Sequence, residues 1–384
     1  MGDYNGTPGD DVFRTRSSTL IIIPEAGIIF ENSDYYSGYG GRDTFRIATS
    51  TFDLPDLLET SSVIFGGADN DKLIFAPPHD FLGQIDITFF GEAGTDSAYL
   101  NFQPMGALDV DFTKIGPPGT YTSIMYLTHA DGSYAGQFFI EPDVEHVSVI
   151  GSNFADRMIG NAGDDQLDGK GGADTFFETM GNDTYIFDDT GDRVAIYSGP
   201  LLTVPDGGVD TIWTTVSVDL RDQGPVENLR LNGTADIDAT GNGLANLITG
   251  NAGSNLIAGG AGNDSLYGKG GADTFHFDDM GAASKDFVWD FDADDKISLG
   301  PAFAGLDVDN NGVVDAASFE IVNKWGAGGT KAGPELIYNS TTGILSYDAD
   351  GASTTHAAQD IAFIGVNKTF FDNTDILVNS SLLV

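Results

Sequence analysis

GSNFADRMI-GNAGDDQLD-GKGGADTFF-ETMGNDTYI, residues 151–186, divides into four consecutive units of nine residues. The sixth residue of each unit is Asp and the eighth is apolar. Residues 241–276 follow the same frame as GNGLANLIT-GNAGSNLIA-GGAGNDSLY-GKGGADTFH, with Asn, Asn, Asp and Asp in sixth place. A flexible linker does not keep an apolar residue at one place of a fixed frame. The two runs therefore predict a repeated, folded element.

Each unit joins a glycine-rich turn to a short strand. Glycine in the first half permits a tight turn with positive φ, and the last three residues alternate like a strand whose middle side chain points inward. Two units, 18 residues, return the chain to the same edge about 4.8 Å further along the axis. The sequence predicts an all-β fold, a parallel β-roll, with these eighth residues as its core: Met158, Leu167, Phe176, Tyr185, Ile248, Ile257, Leu266 and Phe275.

The frame resembles G-G-x-G-x-D-x-U-x, the calcium-binding nonapeptide of the RTX (haemolysin-type) secreted proteins. The resemblance covers 151–186 and 241–276 and implies several Ca²⁺ ions in the stacked turns. On the 18-residue spacing, Asp156 should face Asp174 and Asn246 should face Asp264. Carboxylate and carbonyl oxygens suit Ca²⁺ better than Mg²⁺. The predicted metal ligands are the sixth residues Asp156, Asp165, Asp174, Asp183, Asn246, Asn255, Asp264 and Asp273, and turn positions Gly160, Ala162, Gly169, Gly171, Gly250, Ala252, Gly259, Ala261, Gly268 and Gly270.

The composition favours cations as partners. There are 17 Lys+Arg against 58 Asp+Glu, a formal net charge of −41, which argues against nucleic acid and anionic membranes as partners. The chain has 51 Gly and no Cys, so disulfides and thiolate metal sites are excluded. A thin core with so many glycines offsets the ordering entropy poorly. We therefore expect folding to depend on Ca²⁺.

Isolated units recur before the two runs, at 6–14, 38–46, 66–74 and 91–99. They have two interpretations: interrupted coils of a solenoid, or hairpin turns of an antiparallel β-domain. Asp43 and Asp71, each in sixth place, are candidate Ca²⁺ ligands on the first interpretation.

Beyond the second run, KDFVWDFDADDKISL (285–299) resembles the segment that closes RTX rolls in serralysin-type proteins. Its alternating aromatic residues predict a capping strand with Trp289 in the core. DVDNNGVVDAASFE (307–320) then matches the EF-hand pattern at five places, but Ser318 stands where the pattern has Glu. It is either a Ca²⁺ loop or an ordinary acidic turn. The matching residues are Asp307, Asp309, Asn311, Gly312 and Asp315.

The C-terminal region starts with LIYNSTTGILSYDADG (336–351), which predicts a hairpin around Thr342-Gly343, with Asp348 and Asp350 as a further candidate ion site. The end, FFDNTDILVNSSLLV, resembles the uncleaved signal of type I secretion, with a final β-strand as the alternative. The N-terminus MGDYNGTPGD lacks the pattern of a cleaved signal peptide, and no apolar stretch is long enough for a membrane span. These features favour a secreted protein exported by the type I machinery.

Enzyme motifs are absent from the sequence. No H-E-x-x-H occurs, which excludes a serralysin-type protease, and no G-x-S-x-G occurs, which excludes the usual RTX lipase. The aspartates offer too many carboxylate pairs to single out a hydrolase or lyase site. Tyr35, Tyr36 and Tyr39 suit either a core edge or sugar stacking.

These observations predict five regions: a β-rich N-terminal domain (1–143), a first roll block (144–190), an insertion (191–225), a second roll block (226–284), and a C-terminal cap with secretion signal (285–384). The predicted function is that of a secreted, non-enzymatic Ca²⁺-binding β-roll protein, an adhesin, matrix or surface-layer component at the cell surface. The alternative is a Ca²⁺-dependent lectin or enzyme acting on extracellular polysaccharide. A pore-forming toxin lacks support because no amphipathic or apolar membrane helix is visible.

Overall fold

The computed structural model describes residues 144–160, 163–177, 179–196, 207–278, 284–323, 330–351 and 357–378, together with residues 70, 95 and 280 and the strands between residues 3 and 140. The described part of the chain contains β-strands and short 3₁₀ helices but no α-helix. The chain divides into two compact units, Met1–Asp210 and Thr211–Val384. The predicted all-β, parallel β-roll class is confirmed.

The first unit contains strands β1 (Asp3–Asn5), β2 (Val12–Arg14), β3 (Leu20–Ile22), β4 (Ile28–Phe30), β5 (Asp34–Ser37), β6 (Thr44–Ala48), β7 (Glu59–Ala68), β8 (Lys72–Ala76), β9 (Gln84–Ala93), β10 (Asp96–Asn101), β11 (Asp109–Asp111), β12 (Ile124–Thr128), β13 (Tyr134–Ile140), β14 (Val144–Ile150), β15 (Arg157–Ile159), β16 (Gln166–Asp168), β17 (Thr175–Phe177), β18 (Thr184–Phe187) and β19 (Arg193–Ala195).

Two main sheets form this unit. Along the chain their strands mostly alternate, except that β11, β12 and β13 follow one another in the same sheet. One sheet has the order β1-β5-β7-β9-β13-β12-β11-β15-β17-β19, and the other runs β2-β6-β8-β10-β14-β16-β18. Most pairs are parallel; β11-β12, β12-β13 and the separate β3-β4 pair are antiparallel. The interrupted-coil interpretation of the isolated N-terminal units is therefore confirmed, because their strands β2, β6, β8 and β10 pair in parallel with one another and with β14, in one sheet of the nonapeptide run.

The strand register follows the nonapeptide frame. Met158 is paired with Phe176 and Phe176 with Val194, while Leu167 is paired with Tyr185, so each step along the roll is 18 residues. All five side chains are buried. The eighth place of the unit therefore supplies the core, as the sequence predicts.

The second unit contains strands β20 (Thr211–Thr214), β21 (Val218–Asp219), β22 (Asn228–Leu231), β23 (Ala239–Thr240), β24 (Leu247–Thr249), β25 (Leu256–Ala258), β26 (Ser265–Tyr267), β27 (Thr274–Phe277), β28 (Asp286–Val288), β29 (Lys296–Leu299), β30 (Phe319–Val322), β31 (Glu335–Asn339), β32 (Ile344–Asp348), β33 (Gln359–Phe363) and β34 (Ile376–Val378). Its 3₁₀ helices are Leu220–Asp222, Pro301–Leu306, Ala316–Ser318 and Asn373–Asp375.

Two sheets again run along the axis, in the orders β20-β22-β24-β26-β28-β33-β32-β31-β30 and β21-β23-β25-β27-β29-β34. Ile248, Leu266 and Val288 form one buried file, and Ile257, Phe275 and Ile297 form the other. The expected hairpin is confirmed, because β31 and β32 pair antiparallel on either side of Gly343. The alternative of a final strand is also confirmed, since β34 pairs with β29.

The prediction that Trp289 lies in the core is wrong. Trp289 is 51% exposed, and the buried apolar residue of strand β28 is its neighbour Val288. The physical reason is that Asp286 takes the sixth place of the nonapeptide frame, so Val288 takes the inward eighth place. Phe287 and Trp289 then fall on the outer face of the sheet.

Candidate metal centre

A ladder of buried aspartates joins the coils of the first unit. The Oδ1 atom of Asp174 accepts a hydrogen bond of 2.7 Å from the backbone N–H of Asp156, and Oδ1 of Asp192 accepts one of 2.8 Å from that of Asp174. A second file repeats this arrangement with Asp165, Asp183 and Asp210 at 2.9 and 2.7 Å. The sixth residues of neighbouring coils are thus brought together, at a spacing of 18 residues except between Asp183 and Asp210, where it is 27.

The second unit has the same ladder. Asp264 accepts from the backbone N–H of Asn246 at 2.7 Å, and Asp273 accepts from that of Asn255 at 2.8 Å. The files continue to Asp286 and Asp295, which accept from the backbone N–H groups of Asp264 and Asp273, both at 3.0 Å. These side chains are all buried.

The second carboxylate oxygen points into the turn of its own unit. Oδ2 of Asp174 is fully buried and accepts no hydrogen bond. A Cβ atom on Gly169, the first residue of the same unit, would overlap this oxygen. Gly160, Gly259 and Gly268 stand in the same relation to the sixth Asp of their units. In these four units the absence of a side chain at the first residue therefore leaves space for the carboxylate.

Gly172, in the fourth place of its unit, cannot be replaced by a larger residue for two reasons. Gly172 has φ of +115°, and a Cβ there would lie 2.5 Å from the carbonyl carbon of Phe154 in the preceding coil. The positive φ and the absence of a Cβ atom at Gly172 allow the backbones of neighbouring turns to touch. The carbonyl oxygen of Gly169 accordingly lies 2.6 Å from the Cβ position of Gly151, one coil away.

Burial makes ionisation of the ladder unfavourable. It raises the pKa of Asp174 to about 8, against the opposing hydrogen bond from the Asp156 backbone, and the negative charges of Asp156 and Asp192 raise it further. Burial likewise raises the pKa of Asp183 and of Asp273 to about 6. A cation beside these carboxylates would favour their charged form.

These residues fit Ca²⁺. The ladder provides buried carboxylate oxygens, one of them unsatisfied at Asp174, beside stacked turns whose backbone carbonyls face the next coil. Hard oxygen ligands of this kind are what Ca²⁺ takes. Within the described residues no three His, Cys, Asp or Glu side chains converge on one point.

Sequence reasoning missed four members of the ladder, Asp192, Asp210, Asp286 and Asp295. Each begins an Asp-x-apolar triplet, in DRV (192–194), DTI (210–212), DFV (286–288) and DKI (295–297). That triplet could have identified them. Insertions hid the frame at three of them, since the steps to Asp210, Asp286 and Asp295 are 27, 22 and 22 residues instead of 18. Asp192 keeps the 18-residue step from Asp174, but its unit begins with Phe187 instead of Gly.

The candidate ligands outside the runs stay predictions. Asp43 and Asp71, with Ala162 of the first run, lie outside the described residues. In the 307–315 loop, the Asp307 carboxylate accepts from the backbone N–H groups of Asn311 and Gly312 at 3.0 and 2.9 Å. Glu320 lies two residues after Ser318, which stands at the twelfth place of the pattern. Its carboxylate accepts a hydrogen bond from the Thr330 hydroxyl at 2.8 Å.

The match to a family model agrees with this geometry. The family model of the RTX calcium-binding nonapeptide repeat matches in four copies, over residues 149–185 and 240–275. Among solved structures, the chain is similar to the extracellular lipase LipA from Serratia marcescens, with 14% identity and a TM-score of 0.17 over 98% of this chain. The chain spans 40% of the length of that lipase. No curated protein matches the sequence. Among the described residues, no helix has the length and apolar character needed to cross a membrane.

Proposed function

We propose that this RTX-repeat protein is a secreted, non-enzymatic calcium-binding protein that folds on Ca²⁺ outside the cell and serves there as an adhesin, matrix or surface-layer component. The observation that carries the proposal is the buried Oδ2 atom of Asp174, which accepts no hydrogen bond although it belongs to a file of buried carboxylates. A carboxylate in that position needs a cation to be stable in its charged form.

Calcium would act here as a structural element. Neighbouring carboxylates of one file are a single coil apart, and the chain as a whole carries a formal charge of −41. In low-Ca²⁺ cytosol this charge favours an extended chain by self-repulsion. Outside the cell, Ca²⁺ would bind only the folded turns and so stabilise them by mass action. Asp156, Asp165, Asp174, Asp183, Asp264 and Asp273 are the residues we assign to the metal, with the turn carbonyls beside them.

Calcium titration of the full chain tests the proposal. We expect a large part of the β-sheet circular dichroism signal to disappear in EGTA and to return with Ca²⁺ but not with equimolar Mg²⁺. An undiminished spectrum after complete removal of metal would refute the link between calcium and folding. A panel of hydrolase and lyase substrates, assayed with Ca²⁺ present, tests the non-enzymatic part, and turnover of any of them would overturn it.

One observation favours a second candidate function, Ca²⁺-dependent binding of polysaccharide. Trp289 is half exposed, and its ring lies beside those of Tyr267 and Phe287 at centroid distances of 6.3 and 5.6 Å. Phe363 completes this aromatic cluster at 6.1 Å from Trp289. Exposed aromatic side chains are suited to stacking against sugar rings.

A glycan array separates the two candidates. Binding that requires Ca²⁺ and is lost in Trp289→Ala supports the lectin function. Val308→Ala is the matched control, because Val308 is an exposed apolar residue of the same unit that lies outside the aromatic cluster. If no glycan binds in a calcium-dependent way, the structural role is favoured over the lectin function.

A further inference from the structure

We infer that Asn246 and Asn255 replace Ca²⁺ with their own amide groups and thereby set the N-terminal end of the calcium stack in the second unit. The inference rests on the proposed calcium-linked folding and specifies which turns take part. Both residues occupy the sixth place of their nonapeptides, where the later units have Asp. The sequence pattern alone placed them among the metal ligands.

The amide nitrogens of these two residues donate to backbone carbonyls of the preceding coil. Nδ2 of Asn255 donates to the carbonyl of Ile237 at 2.7 Å. Nδ2 of Asn246 donates to the carbonyls of Glu227 and Val226 at 3.1 and 3.3 Å. Turn carbonyls are also what Ca²⁺ would bind between two later coils. The neutral amide N–H groups thus satisfy the backbone carbonyls of this coil, which a Ca²⁺ ion would bind in the later coils.

A second pair of asparagines extends the same arrangement. Asn242 donates to the carbonyl of Val226 at 2.8 Å, and Asn251 donates to those of Ala235 and Asn232 at 2.9 and 3.3 Å. Each belongs to the same nonapeptide as one of the sixth-place asparagines. The carbonyls of the preceding coil are therefore bonded by amide donors at several points, without any charge.

The amide oxygens of Asn246 and Asn255 accept the same hydrogen bond that a carboxylate oxygen of Asp156 accepts at the start of the first nonapeptide run. Oδ1 of Asn255 accepts from the backbone N–H of Asn251 at 3.0 Å, and Oδ1 of Asn246 accepts from that of Asn242 at 2.9 Å. Oδ2 of Asp156 accepts in the same way from Ser152 at 2.7 Å. Asn therefore preserves the turn and exchanges one carboxylate oxygen for a donor. The carboxylate of Asp174 has oxygen atoms where the amide has a nitrogen, so it offers no such N–H donor.

The consequence is a boundary within the second unit. Residues 211–258 form coils whose mutual contacts need no metal, and the first calcium-dependent contact lies between the coil 241–258 and the coil 259–276, where Asp264 and Asp273 enter. Strands β22 to β25 then provide a folded edge on which the calcium-dependent coils assemble.

Hydrogen exchange on the full wild-type chain tests this boundary. In EGTA we expect the amides of β22 to β25 to keep at least tenfold slower exchange than those of β26 to β29, and Ca²⁺ to slow exchange mainly in the latter. Loss of protection in all eight strands at the same Ca²⁺ concentration would overturn the inference while leaving calcium-linked folding intact. Absence of any Ca²⁺ effect on exchange would instead contradict the proposed function.

Asn255→Asp gives an independent test by ion counting. It removes the amide donor and supplies a carboxylate, so we expect one more Ca²⁺ per chain by native mass spectrometry and a new calcium dependence of protection in β23 and β25. Asn228→Asp is the matched control: it adds the same charge in the same region, at a side chain bonded to the Thr211 hydroxyl on the sheet surface. An unchanged ion count with unchanged protection in Asn255→Asp would overturn the inference. If the variant does not fold, the wild-type exchange pattern decides.

Discussion

The carboxylate of Asp174 accepts a hydrogen bond from the backbone N–H of Asp156, one coil away, at 2.7 Å. One oxygen of the side chain thus ties two coils together, while the other is buried in the turn beside Gly169 without a hydrogen-bond donor. Asp174 therefore both fixes the register of the two coils and carries a buried charge that needs a cation nearby. Folding and metal binding are coupled through this one side chain.

Asp174→Asn should lower the dependence of stability on Ca²⁺. The neutral amide can keep the bond to Asp156 through its oxygen but removes a charged ligand, so the variant should lose at least one ion and the linked stabilisation. That linkage amounts to about 2.7 kcal/mol when free Ca²⁺ is a hundredfold above its dissociation constant. Urea unfolding in Ca²⁺ and in EGTA measures the difference. Asp222→Asn, at an exposed carboxylate, should behave as wild type.

The metal-free protein should become less stable as the pH rises from about 4 to about 8. Burial raises the pKa of Asp174 from 3.8 to about 8, so in this range the folded chain binds more protons than the unfolded chain. Stability falls with pH wherever the folded state holds the extra protons. Asp183 and Asp273, with pKa values raised to about 6, add to the slope in its lower half.

Urea midpoints of the β-structure that remains in calcium-free buffer check the direction across this range. The metal is removed with a chelating resin, because EGTA becomes protonated and releases Ca²⁺ at low pH. Saturating Ca²⁺ should flatten or reverse the trend, because protons then compete with the metal for the same oxygens. Metal-free stability that increases between pH 5 and 8 would mean that the buried carboxylates are not the dominant titrating groups.

The sequence predicts the fold where its frame is uninterrupted. The nine-residue period placed Phe176 and Ile257 in the core, because a three-residue strand has only one inward side chain. It misplaced Trp289, because alternation alone does not say which face of a strand points inward until Asp286 is aligned with the sixth place of the frame. Coils lengthened by insertions hid that alignment.

The candidate site was predictable in its spacing and less so in its chemistry. Asp and Asn are interchangeable in the nonapeptide pattern, so Asn255 was grouped with Asp273. Only the direction of its hydrogen bond, from Nδ2 to the carbonyl of Ile237, separates a donor that replaces a cation from an oxygen that binds one.

Phe176→Ala should cost about 3–5 kcal/mol of unfolding free energy in the presence of Ca²⁺. The side chain is fully buried and contacts the rings of Tyr185 and Phe187 at centroid distances of 5.7 and 5.6 Å. Phe154→Ala removes the same ring from a side chain that is 45% exposed and should cost less than about 1 kcal/mol. Equal losses in the two variants would contradict the assignment of the eighth residues as the core.

Gly172→Ala should destabilise the first unit by about 2 kcal/mol or more, even with Ca²⁺ saturating. A methyl group there would meet the Phe154 backbone, and φ of +115° is unfavourable for any residue with a Cβ atom. Gly243→Ala is the matched control, since nothing lies within 4 Å of its Cβ position and its φ is not positive. Thermal unfolding with Ca²⁺ measures both. Because the fourth residue of the unit keeps neighbouring turns in backbone contact, Gly172→Ala should also weaken calcium binding. A variant with wild-type stability and affinity would show that the turns need not touch to form the ion sites.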